Sequence, residues 1–182
     1  NGLSLSLRNG KDESLERFDS FDLGLRVFVG KRNATLSTND ATEKNLKSFA
    51  SKAIEMAKSV PEDKFSMIAP RHLIDENPFD KNIDLENYDK KVGNLNDLRE
   101  KAKELEESAL NVSSILKSDG SDASWNNSKS LLMTSNGFFG ETRKTNNSIS
   151  IILIAEKDKK MERDYDFSSK VFFDDLESPK VL

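Results

Sequence analysis

Glu141 to Ser169 reads ETRKTNNSISIILIAEKDKKMERDYDFSS. Ser148 to Glu156 is strand-like, Lys157-Asp158-Lys159-Lys160 is a charged turn, and Met161 to Phe167 alternates again. With a period of two, Glu162, Asp164 and Asp166 share one face, and Met161, Arg163, Tyr165 and Phe167 share the other. Upstream, Asn136-Gly137 separates two further strand patterns, Lys129 to Ser135 and Phe138 to Asn146. That dipeptide is the strongest hairpin signal in the chain and predicts a two-residue turn with positive φ at both positions. Another strand is expected over Ile115 to Trp125.

The first half of the chain carries the helical signals. Leu3, Leu5 and Leu7 alternate with polar residues, and Asn9-Gly10 is a second hairpin signal. The return strand, Lys11 to Phe18, is polar and belongs near an edge. Leu23, Leu25, Val27 and Val29 share a strand face, and Ala34 to Thr38 returns after Gly30-Lys31-Arg32-Asn33. Leu46, Phe49, Ala50, Ala53, Ile54 and Ala57 then recur at helical spacing, with Asp40 as the cap and Glu43 as its capping-box acid. This helix is expected to pack on a sheet containing Leu25, Val27, Ile151 and Leu153. Residues 60–93 hold three prolines and read as an extended linker, pinned by Phe65, Met67, Ile68, Phe79 and Tyr88. Leu95, Leu98, Ala102, Leu105, Ala109 and Val112 mark a second helix, capped by Asn94 or Asn96. Strands and helices are segregated along the chain. That order predicts an α+β fold, with an antiparallel or mixed β-sheet packed against two main helices. The chain is expected to be a single N-terminal domain, 1–182, of two α/β halves.

Composition narrows the function classes. A net charge of −4 and a pI near 5.2 argue against a nucleic-acid surface. No window approaches the roughly 18 apolar residues of a membrane span. The absence of cysteine removes disulfides, thiol nucleophiles and Cys-based metal sites, and fits a reducing cytoplasm. The chain starts at Asn1, and Ser178-Pro179 reads as a helix opening close to its last residue, so the sequence is expected to be part of a longer one.

The string Met161-Glu162-Arg163-Asp164-Tyr165-Asp166 resembles the PmbA/TldE branch of the TldD/PmbA family, known as modulators of DNA gyrase and as metallopeptidases. Leu23-Gly24-Leu25-Arg26-Val27-Phe28, Gly30-Lys31-Arg32 and Leu36-Ser37-Thr38 support the resemblance, as does the helix with Ala50, Ala53 and Ala57. One departure is Phe65-Ser66-Met67-Ile68-Ala69-Pro70, where the family has a Gly-Leu-Ala-Asp-like stretch. The resemblance implies pairing with a zinc-bearing TldD-like subunit, action on unfolded peptides, and a structural or substrate-recruiting role for this segment. It places zinc on the partner and no cofactor here, since the partner branch carries a His-Glu-x-x-x-His motif that these residues lack.

The residues themselves offer five candidate sites. His72 is the one histidine, and a catalytic zinc needs three protein ligands; it reads as an ordinary loop residue. Asp80-Lys81-Asn82-Ile83-Asp84 begins like a calcium loop, but Leu85 stands where Gly is needed and Lys91 where the bidentate Glu belongs. Gly24 and Gly30-Lys31 are wrongly spaced for a phosphate loop, and Arg32 replaces its Ser/Thr. Arg143-Lys144-Thr145 with Trp125 is a weak nucleic-acid pattern in acidic surroundings. The acidic face of Met161 to Phe167 is either an ordinary solvated face guarding an edge or a binding face. Arg163, among apolar neighbours, should find an acceptor. A boundary with other protein is expected at Met161, Arg163, Tyr165, Phe167, Phe172 and Phe173; the alternative is that the large apolar ones fold into the core.

Overall fold

The structure is a computed structural model that describes residues 1–74 and 85–182. Among these residues, seven strands and two α-helices run in the order β1 Gly2–Arg8, β2 Lys11–Phe18, β3 Leu23–Val29, β4 Arg32–Thr38, α1 Glu43–Ser59, α2 Leu95–Leu110, β5 Ile115–Met133, β6 Phe139–Lys157 and β7 Lys160–Lys170. Short 3₁₀ turns occupy Arg71–Leu73 and Phe173–Asp175. The fold is α+β, and every strand pairing is antiparallel.

The chain divides into two compact units. The first, among the described residues, comprises 1–19, 85–133 and 139–182. It holds a five-stranded sheet of order β2-β1-β5-β6-β7. Helix α2 covers one face through contacts with β1, β5 and β6. Leu5, Leu7, Ala123, Ile149 and Ile151 meet Leu98, Ala102 and Leu105 in the core. The 3.6-residue period of α2 and the two-residue period of the strands put each set on one face, and burying both is the main driving force here. Asn94 caps α2, its side chain accepting from the Asp97 amide at 3.0 Å. Gly93 is required: a Cβ there would lie 2.3 Å from the Trp125 ring.

The second unit comprises 20–74 and 134–138 among the described residues. Here α1 packs on the two-stranded sheet β3-β4. Phe49, Ala53 and Ala57 are its buried stripe. Ser66 is buried, its hydroxyl accepting from Asn33 Nδ2 at 2.6 Å.

Several expectations are corrected. No common sheet joins Leu25 and Val27 to Ile151 and Leu153; α1 lies on β3-β4, whereas Ile151 belongs to the core under α2. Ile54 is 39 % exposed. Periodicity identifies residues that share a face, but not the sheet they share it with. Helix α1 starts at Glu43 with Thr42 as N-cap and no side-chain cap. Asp40 instead accepts from the Thr42 amide at 2.9 Å, and that bond holds its carboxyl below the usual range. Phe65 and Met67 are exposed and do not pin the linker.

The sequence patterns over 115–135 and 138–156 each suggested two strands, but each is one strand of 19 residues. Polar Asn126, Asn127 and Ser128 simply continue the ladder opposite Asn146, Thr145 and Lys144. The turns also differ. Asn9 and Gly10 both have positive φ, as do Asp158 and Lys159. At Asn136-Gly137 only Gly137 does. The connection spans 134–138, closed by the Thr134 amide donating to the Phe138 carbonyl at 2.9 Å and the Gly137 amide to the Thr134 carbonyl at 3.0 Å. This is the three-residue loop with a left-handed glycine rather than the two-residue turn.

Exposed β2 is tied to α2 by Arg99, whose guanidinium donates to both carboxylate oxygens of Asp12 at 3.1 and 2.6 Å. The Arg99 hydrogen bond holds the Asp12 carboxyl below its ordinary value. A depressed folded-state pKa means the contribution is present above the unfolded value and lost as pH falls through the folded one. Arg99→Met should therefore move the Asp12 midpoint upward in an NMR titration. An unmoved midpoint would show that the pair is absent in solution.

Candidate interaction edge

β7 ends the five-stranded sheet, so among the described residues one side of its backbone has no neighbouring strand. Its partner is β6, with Ile151 opposite Asp166, Ile152 opposite Tyr165, Leu153 opposite Asp164 and Ile154 opposite Arg163. The faces follow from this register. Glu162, Asp164 and Asp166 share the α2 face with Ile151, Leu153 and Ala155. Met161, Arg163, Tyr165 and Phe167 share the opposite face with Ile152 and Ile154.

On the face away from α2, Met161, Tyr165 and Phe167 are 65, 68 and 56 % exposed. Ile152 and Ile154 beside them are half-buried. Arg163 finds its acceptor in Asp119, Nε to Oδ2 at 3.3 Å, and Asp119 also lies 3.6 Å from Arg8. On the α2 face, Ile115, Leu153 and Ala155 line a groove of about 400 Å³ rimmed by Glu162, Asp164 and Asp166. The amides of Tyr165 and Phe167 donate to the carboxylates of the residues before them, Asp164 at 2.9 Å and Asp166 at 2.8 Å.

Two residues of the expected boundary set separate from the rest. Phe173 is buried in the core, so it is removed from an exposed surface. Phe172 is half-buried. Side chains of Thr145 and Asn147 donate to the Val171 carbonyl at 2.9 and 2.8 Å, folding this segment back on the first unit.

The other candidates come out plainly. His72 is exposed on the 3₁₀ turn. Asp80 and Asp84 of the calcium-like loop lie outside the described residues. Arg32 is not a solvated turn residue: it opens β4, half-buried, and pairs with Glu62 at 3.4 Å. Trp125 is 7 % exposed and cannot stack on a base, and Arg143 and Lys129 both pair with Glu141. Those two cations, Lys129 first, hold the Glu141 carboxyl below its usual range. Among the described residues no group of three His, Cys, Asp or Glu side chains is placed to hold a metal ion. Sequence reasoning missed the capped amides, the Asp119 partner and the groove. The run Ile151 to Ala155 hinted at the groove, since unbroken apolar residues are typical of strands covered on both faces, and Arg163 among apolar neighbours called for an acceptor without naming Asp119; the capped amides left no local signal.

A five-stranded antiparallel sheet with one helix on it, and a two-stranded sheet with its own helix, define a two-part α+β module. Residues 1–57 match the profile of PmbA/TldA metallopeptidase domain 1, and residues 87–181 match the PmbA/TldA metallopeptidase central domain. The chain belongs to the PmbA/TldD family and is PmbA/TldE-like. It is 27 % identical to the metalloprotease PmbA homolog of Haemophilus influenzae over 179 residues, covering 98 % of this chain and 39 % of that protein. Metalloprotease PmbA of Escherichia coli O157:H7 is 25 % identical, with the same coverage of 98 % and 39 %. A candidate modulator of DNA gyrase from Bacteroides thetaiotaomicron superposes with a TM-score of 0.85 at 26 % identity, over 97 % of this chain and 40 % of that one. TldE from Thermococcus kodakarensis shares the fold, with a TM-score of 0.69 at 13 % identity over 93 % and 38 %. The chain thus spans about two-fifths of the length of these relatives.

The family name implies a metal, and the described residues do not fit one. The chain has one histidine, which is exposed, and no cysteine. The described carboxylates form no ligand set.

Proposed function

We propose that this chain is the N-terminal region of a PmbA/TldE-like subunit that works with a zinc-bearing TldD-like subunit in the cytoplasm. The pair degrades or matures unfolded peptides, and this segment shapes the complex and recruits substrate without catalysing cleavage. The observation that carries the reading is the sheet face away from α2. Three large apolar side chains of β7 stand exposed there beside half-buried Ile152 and Ile154. Such a patch on an otherwise charged chain suits a protein boundary. Among the described residues no helix is long and apolar enough to cross a membrane, and a net charge of −4 supports a protein rather than a nucleic-acid partner for that face.

A stand-alone peptide-binding or scaffold module is the second reading, favoured by the same face if no larger subunit covers it. A further reading, an enzyme whose active residues all follow Leu182, concerns the longer protein; a His-Glu-x-x-x-His stretch there would move it to the TldD branch.

The chain should sediment together with a TldD-like subunit of its own organism, and Tyr165→Lys with Phe167→Asp should abolish this while leaving the circular dichroism unchanged. The chain alone should retain no stoichiometric zinc after dialysis and cleave no unfolded peptide. One tightly held zinc per chain, or chelator-sensitive cleavage, would overturn the noncatalytic assignment. Undiminished co-sedimentation of the double variant would overturn the boundary.

A further inference from the structure

A free sheet edge normally invites another strand, and β7 is an edge with a guard. Tyr165 and Phe167 are two residues apart, so their amides point to the same side of the strand. Neither is left open: the Asp164 and Asp166 carboxylates close them at 2.9 and 2.8 Å. A strand that adds here must break both bonds and leave two carboxylates needing new partners. Those carboxylates, with Glu162, rim the groove floored by Leu153 and Ala155. The other row of the same strand is Met161, Arg163, Tyr165 and Phe167, all exposed and apolar except Arg163, whose charge is paired with Asp119.

We propose that the β7 edge is a strand-addition site selective for an extended peptide in which Lys or Arg alternates with apolar residues. Its cationic side chains lie over Glu162, Asp164 and Asp166. Its apolar side chains lie beside Met161, Tyr165 and Phe167, and its backbone takes the amides that the two aspartates release. A neutral peptide breaks the same two bonds and gains no ion pairs, so it is disfavoured. A second copy of this chain is disfavoured too: β7 against β7 sets carboxylate rows side by side, and like charges across a strand pair repel. The inference rests on the peptide-recruiting role and adds to it the edge and the chemistry of the peptide.

Fluorescent acetyl-KVKFKVK-amide titrated into the 182-residue chain is the test, read by anisotropy and by amide exchange. Binding about tenfold tighter than that of a scrambled peptide of the same composition is expected, as three cross-strand pairs would supply. The amides of Tyr165 and Phe167 should become protected. Asp164→Ala with Asp166→Ala should erase the preference for KVKFKVK over the neutral TVTFTVT, with chemical shifts of α2 unchanged as the check on folding. Equal binding of the scrambled peptide, unprotected amides at 165 and 167, or an undiminished preference in the double variant would each overturn the proposal. A carboxymethylated unfolded protein separates the two levels. If it binds while both amides exchange freely, the edge is wrong and the recruiting role stands; if neither probe binds, both fall.

Discussion

Leu5→Ala is expected to lower the unfolding free energy by about 3–4 kcal/mol, the usual cost of emptying a leucine site in a packed core. Leu5 has no exposed surface. It sits opposite Ala123 on one neighbouring strand and Leu15 on the other. It belongs to the same buried cluster as Leu98, Ala102 and Leu105 of α2. The lost methyl groups leave a hole that rigid neighbours on two strands and a helix cannot fill, so the transfer and cavity terms add. Urea unfolding followed by far-ultraviolet circular dichroism measures the change. A loss under about 1 kcal/mol would mean that β1 does not lie between β2 and β5 in solution.

Glu106→Ala should cost about 3 kcal/mol, a large effect for a residue that reads as a helix surface position. Glu106 is 2 % exposed. Its two carboxylate oxygens accept from the amides at the tip of the β1-β2 hairpin, Asn9 at 3.0 Å and Gly10 at 2.6 Å. Both of those residues have positive φ, so the turn offers its amides outward to the helix. Truncation removes two charge-assisted hydrogen bonds and leaves donors without partners in a partly buried place. Glu106→Gln keeps an oxygen acceptor, so its loss should be about half as large. Equal losses for the two variants would show that the charge carries the whole effect, and no loss in Glu106→Gln would show that Glu106 acts through packing rather than through its charge.

The alternating and helical patterns identified both helices and most strands because each pattern is local. The apolar stripe of α2 is the buried one, and the polar strand Lys11–Phe18 lies at an edge with every residue exposed. Turn chemistry was less transferable. The same dipeptide forms a two-residue turn at Asn9-Gly10 and the end of a longer loop at Asn136-Gly137. At the second site Asn136 Nδ2 donates to the Ala69 carbonyl at 2.6 Å and Arg71 donates to the Asn136 carbonyl at 3.2 Å. Those contacts come from residues more than sixty positions away, which no local pattern records.

The candidate edge shows the same division. Alternation over Met161 to Phe167 already separated carboxylates from apolar side chains. Which row faces the helix, which side of the strand is free, and that Asp164 and Asp166 close the Tyr165 and Phe167 amides were decided by strand order and register. Phe173 makes the point from the other side. Beside Phe172 it looked like part of an exposed cluster, yet it is buried with Leu176 in the first unit's core. The sequence by itself determined the elements, their faces and the family resemblance, because hydrophobic period and turn residues act over a few positions. The tertiary structure alone decided that β1 and β2 leave their chain neighbours to join β5 in a separate sheet, because antiparallel pairing can bring together residues more than a hundred positions apart.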